Sequence, residues 1–153
     1  LSLYWFMIVF YHKHLEGKLM KLKDRFSSIK NRYLNDIVLI KSGSFYITFD
    51  QDAIIMNYLF SYQIASGKIG FPLKNIEKVK NELKTKKIHY IVLDDEKQER
   101  YEEEINHYVE YLNHAKKKEY ENAMNQMLLD RIHFLLEQNS DNYGKIKKFI
   151  DEL

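Results

Sequence analysis

The sequence predicts an α/β domain, a mixed sheet flanked by helices, followed by a C-terminal helical extension. Three observations carry this. Ile37-Val38-Leu39-Ile40 is a short continuous apolar run, as in a strand covered on both faces, and Ile88–Leu93 is similar with His89 its only clearly polar interruption. Phe45, Ile47 and Phe49 alternate with Tyr46 and Thr48, the period of a half-exposed strand. Segments before and after these runs repeat apolar residues at three-to-four spacing, the mark of helices packed on a sheet.

In chain order, Leu1–Tyr11 is strongly apolar but stops at His12, short of the ~20 residues a spanning helix needs. It also has neither the basic start nor the small-residue cleavage site of a signal peptide. No membrane partner is expected. His12 and His14 have no further ligands nearby, so no metal site is expected there. Lys21–Tyr33 should be a helix with Leu22, Phe26, Ile29 and Tyr33 on one face and Lys23, Lys30 and Arg32 on the solvated one.

Lys41-Ser42-Gly43-Ser44 joins the first two strands, Gly43 supplying the positive φ of a tight connection. Asp50 is the candidate N-cap of a helix, its Ala53–Tyr62 part almost wholly apolar. Ser66-Gly67 reads as a hairpin turn between 63–65 and 68–70. It is not a phosphate loop, because Tyr62 and Ile69 stand where that loop requires Gly and Ser or Thr. Pro72 ends a strand and Asn75 is placed to cap a helix reaching about Lys86.

The stretch 68–87 holds seven Lys against two Glu, and 94–104 holds seven acids against Lys97 and Arg100. The acids read as the start of a helix, where they suit its dipole. Tyr101, Ile105, Tyr108, Leu112 and Ala115 then form a narrow seam. Tyr120, Met124, Met127, Leu128, Leu135 and Leu136 form a second apolar face. Ser140 or Asp141 should open a last helix burying Ile146, Phe149, Ile150 and Leu153. Three tail helices of this kind either pack on the chain itself or bind a partner helix.

Without cysteine, the chain has no disulfide scaffold, thiolate metal site or cysteine nucleophile, and a cytoplasmic location is expected. The net charge of +2 is too small to carry an argument, so only its distribution matters.

Gly43-Ser44-Phe45-Tyr46-Ile47-Thr48-Phe49 followed by Asp52-Ala53 resembles the Gly-Asp-Phe-Tyr-Glu-x-Phe…Asp-Ala signature of the N-terminal mismatch-recognition domain of the MutS DNA mismatch repair family. Gly70-Phe71-Pro72, the Ile76/Val79/Leu83 helix and Tyr90-Ile91-Val92 follow in that domain's order. The clamp, lever and ATPase parts have no counterpart. The resemblance implies a stand-alone MutS-like domain over residues 20–95. Residues 1–19 then form an apolar N-terminal segment, expected to be a fragment boundary or read-through before Met20, and 96–153 an α-helical tail.

In that family the Phe wedges into the base stack at a mispaired step, and the Glu two residues on hydrogen-bonds the displaced base. Phe45 matches the wedge. Ile47 stands where the Glu belongs and accepts no hydrogen bond, and Ser44 replaces the Asp. The resemblance therefore implies a non-catalytic DNA-binding module with altered or lost mismatch readout, without cofactor. Its partner is double-stranded DNA, mismatched or distorted duplex included. The expected DNA-binding residues are Phe45, Tyr46, Ser44, Lys41, Lys68, Lys74 and Lys78, the lysines neutralising phosphates. Two plainer readings stand beside these: Phe45 as a core aromatic and the lysines as a solvated helix surface. A different class of function is an interaction module whose helical tail docks a repair or replication partner. A nuclease site at Asp94-Asp95-Glu96 has no second acidic cluster to complete it, and His89, His107, His114 and His133 have no triad partners.

Overall fold

The computed structural model describes residues 3–95 and 97–153. The chain divides into two compact units, residues 1–115 and 116–153. The first is built on a five-stranded mixed sheet in the order β3-β2-β1-β4-β5. Its elements are α1 (Leu3–Lys30), β1 (Ile37–Ser42), β2 (Phe45–Phe49), α2 (Asp50–Phe60), β3 (Lys68–Pro72), a short 3-10 turn (Leu73–Asn75), α3 (Ile76–Thr85), β4 (Tyr90–Asp94) and β5 (Lys97–Tyr101). α4 (Tyr108–Gln138) begins in this unit and α5 (Asp141–Asp151) lies in the second. Among the described residues, no helix is long and apolar enough to cross a membrane.

β1 and β4 pair in parallel, Ile37 opposite Tyr90 and Ile40 opposite Leu93, while the other neighbours are antiparallel. The continuous apolar runs are explained by helices on both faces. Val38, Ile40, Ile91 and Leu93 pack with Phe49 under Phe26 of α1. Ile37, Leu39, Tyr90 and Val92 pack on the opposite side with residues of α2, α3 and the first turns of α4.

Several sequence expectations are corrected. α1 continues through the apolar N-terminal segment as a single helix from Leu3. β2 is not half-exposed, because Tyr46 and Thr48 are both buried on the α2–α3 side. Asp50 does not cap α2. The N-cap position is Phe49, without a side-chain cap, and the Asp50 carboxylate pairs with Lys23. Asn75 likewise precedes α3 without a side-chain cap. The hairpin at Ser66-Gly67 shrinks to one bridge, Ala65 with Lys68, and Lys68–Pro72 pairs with β2.

The acids after β4 do not start a helix. Asp94 and Asp95 enter a turn, and Lys97–Tyr101 returns as edge strand β5. Charged side chains suit such an edge, since they discourage pairing with another chain. Tyr101 and Ile105 therefore fall outside the seam, which starts at Tyr108. The two apolar runs expected to form separate helices share the single helix α4. Ser140 precedes α5 without a side-chain cap, and Phe149, Ile150 and Leu153 are exposed rather than buried.

Candidate nucleic-acid interface

Ser42-Gly43-Ser44-Phe45 forms the tip of the β1–β2 hairpin, with Gly43 at φ 60°. A left-handed residue there is what a tight connection demands. Phe45, Ile47 and Phe49 share one face of β2, and their burial is graded along it. Phe49 is buried 5.3 Å from the Phe26 ring, Ile47 is half-buried against the same cluster, and Phe45 is 48% exposed. Phe45 thus stands at the tip, outside the core that holds Phe49.

Tyr46 points the other way, its ring 5.8 Å from Phe71 and its hydroxyl donating to Asp94 Oδ2 at 3.4 Å. Burial, followed by the negative charge of Asp94, raises its phenol pKa. The ring is 5% exposed and packs in the core.

The lysines expected near the tip divide by their partners. Lys41 donates to Asp94 Oδ1 at 2.8 Å and to Asp95 Oδ2 at 3.3 Å. Those hydrogen bonds raise the Lys41 pKa, and the one to Asp94 holds that carboxyl below its ordinary value of 3.8. Arg25 Nη2 donates to the Asp95 carbonyl at 2.8 Å, fixing the acidic turn from α1. Lys74 is exposed in the 3-10 turn, which is tied to the tip by the Leu73 N–H donating to the Ser44 carbonyl at 3.2 Å. Lys78 is exposed on α3. Lys68 pairs with Phe49 at the far end of β2, and its side chain lines a shallow cleft with Ser42, Ile47, Leu15 and Lys18.

Of the other lysines of this helix, Lys80 is engaged by carboxylates and Lys84 stays exposed beside an aromatic ring. Lys80 donates to Glu99 at 2.6 Å and Glu77 at 3.4 Å, and Lys84 sits 5.5 Å from the Tyr101 ring centroid. Burial works against the Lys80 ammonium, but these carboxylates outweigh it and raise its pKa.

One constellation went unnoticed in the sequence. Asp52, fully buried, accepts from Lys30 Nζ and from the Tyr108 hydroxyl, both at 2.6 Å on Oδ1, and from the Val38 N–H at 2.9 Å on Oδ2. Lys30 also donates to the Asp36 carbonyl at 2.7 Å. Lys30, expected on a solvated face, is instead half-buried between α1 and α2. Burial lowers its pKa and raises those of Asp52 and Tyr108, while the mutual ion pair opposes the first two shifts. The sequence signal was Asp52 at the head of an almost wholly apolar helix, whereas Lys30 read as one of several solvated cations. The Asp52-Ala53 pair of the motif is thus an internal brace.

Asp94 and Asp95 are engaged by Lys41, and Glu96 lies outside the described residues. Among the described residues, no three His, Cys, Asp or Glu side chains gather as a metal site. His89 accepts from the Glu103 N–H at 3.0 Å and sits 3.7 Å from Asp36, which also takes Arg100 at 2.7 Å. It therefore serves to anchor the segment after β5. The family model for MutS domain I matches residues 20–112. No curated protein matches the chain.

Proposed function

The chain belongs to the MutS domain I family, and we infer that it is a duplex-DNA-binding module that keeps the aromatic wedge and has lost the carboxylate that reads a mispaired base. MutS domain I is a DNA-recognition domain rather than a catalytic one, and we read this chain as non-catalytic too. The observation that carries the inference is the exposure of Phe45 at the hairpin tip, while Ile47 and Phe49 on the same face pack inward.

An apolar ring at a protruding turn levers apart a base step at a cost of a few kcal/mol, least where the stack is already weak. A carboxylate at position 47 would add readout of the displaced base, whereas Ile47 leaves only deformability to discriminate. Lys74 on the 3-10 turn and Lys78 on α3 are exposed cations suited to phosphates. The absence of cysteine and a DNA ligand together favour a cytoplasmic location.

The test is affinity for homoduplex and for mismatched or bulged duplex at two salt concentrations. Salt-sensitive binding with a preference below about threefold for mismatched duplex is expected, growing for a bulge that bends easily. Absence of duplex binding at low salt overturns the reading.

A further inference from the structure

The cleft that Lys68 lines runs between α1 and the sheet and has a volume of about 320 Å³. Its floor is apolar, made by Leu15, Leu19 and Leu22 of α1 together with Ile47 of β2. Gly70 pairs with Ile47 and carries no side chain. A Cβ at that position would lie 3.9 Å from Ile47 Cγ1, with nothing closer, so the bare glycine keeps the cleft open beside Ile47. Lys18, Lys68 and Ser42 stand on the rim, with Glu16 and His12 near them. The cleft adjoins the hairpin tip. Ser42 pairs with Phe45, and Ile47 lies two residues from Phe45 on the same face, about 7 Å along the strand.

We propose that this cleft is a subsite for an unpaired nucleotide, drawn out of the duplex where Phe45 enters the stack. The proposal rests on the duplex-binding reading above. A ring that wedges into a stack displaces a base, and an unpaired base is the cheapest to move out. A mostly apolar cleft with a few polar groups at its edge suits such a base, its face on the side chains and its polar edge toward the rim. Lys18 and Lys68 suit the phosphates on either side of it.

Ile47 gains a use of its own in this arrangement. A carboxylate there would be desolvated beneath the base, whereas the Ile side chain offers it apolar area. Deformability is thereby joined by a second ground for discrimination, confined to duplexes with a base to give up. The family match begins at residue 20, so the wall formed by Leu15, Lys18 and Leu19 lies outside the matched stretch and belongs to this chain.

The experiment is fluorescence anisotropy of the full chain with three duplexes of one sequence. The first is fully paired, the second carries an extra unpaired adenine, and the third has an abasic residue in place of that adenine. The abasic bulge also interrupts the stack and bends, but it has no base to place in the cleft. The adenine bulge should bind about fivefold tighter than the abasic one. Gly70→Ile, which adds a strand-forming side chain beside Ile47, should bring that ratio to about one. Leu15→Asp, at a position 44% exposed on α1, should do the same, and the ratio cancels its added repulsion of phosphates. If Gly70→Ile disturbs the sheet, which circular dichroism would reveal, Leu15→Asp still decides the matter. Equal affinity for the adenine and abasic bulges, or a ratio that survives in the folded variants, would overturn the subsite and leave duplex binding in place. Absence of binding to all three duplexes would overturn the subsite and the duplex reading together.

Discussion

Lys41 reaches Asp94 at 2.8 Å across the parallel β1–β4 pair, at the same end of the sheet as Phe45. The cation that the sequence offers for a phosphate is thereby neutralised by the acidic turn after β4. Replacing Asp94 and Asp95 by Asn should free it. Duplex affinity should rise about threefold to tenfold at low salt, and the slope of log affinity against log salt should steepen by about one. An unchanged slope would mean that Lys41 is not near the DNA.

The same pair sets an acid response. Asp94 has a folded pKa below its ordinary value, so its contribution to stability is present above that ordinary value and is lost as pH falls through the lowered one. The urea midpoint of Asp94→Asn should therefore lie below that of the parent at pH 7, and the gap should close as pH falls below the ordinary value of 3.8. The effect is small, because the pair is solvent-exposed.

Phe45 and Phe49 separate binding from folding. Phe45→Ala should change stability by less than about 1 kcal/mol, yet lower duplex affinity at least about tenfold. Phe49→Ala should cost about 3 kcal/mol in denaturant unfolding through the cavity it leaves. Equal losses of stability would remove the distinction.

Ile47→Glu tests the missing readout. The side chain is half-buried against α1, so the change should cost about 1–2 kcal/mol of stability. It should also raise the mismatch-to-homoduplex affinity ratio above about fivefold. If the ratio stays near one in a folded variant, position 47 does not face the base.

Asp52→Ala leaves Lys30 uncompensated between two helices and the Tyr108 hydroxyl without its acceptor. A loss of about 3 kcal/mol is expected, larger than for any exposed ion pair of the chain. Urea unfolding of Asp52→Ala beside Lys147→Ala, whose pair with Asp151 is exposed, checks this.

What could be read from the sequence follows from how local each cause is. Ile37–Ile40 reports its strand directly, as an apolar run buried on both faces, and the alternation from Phe45 to Phe49 reports a strand although not which face is covered. The mixed sheet followed from them, and the family was legible through the motif around Phe45. β5 was not, because Lys97-Gln98-Glu99-Arg100 has no apolar period. It is a strand because β4 offers an edge and because Arg100 ties to Asp36 at 2.7 Å. The fate of Lys41, Lys80 and Lys30 was hidden for a similar reason. Their partners lie 53, 19 and 22 residues away and arrive only through strand order and helix placement.

Tyr108 lends its hydroxyl to Asp52 from the opening turn of a helix that sequence alone assigns to the tail. A shortened version ended at residue 95 would lose the edge strand and that hydroxyl together, stranding a carboxylate in oil. Anyone trimming the gene for crystals or spectra should therefore place the stop codon after Ala115.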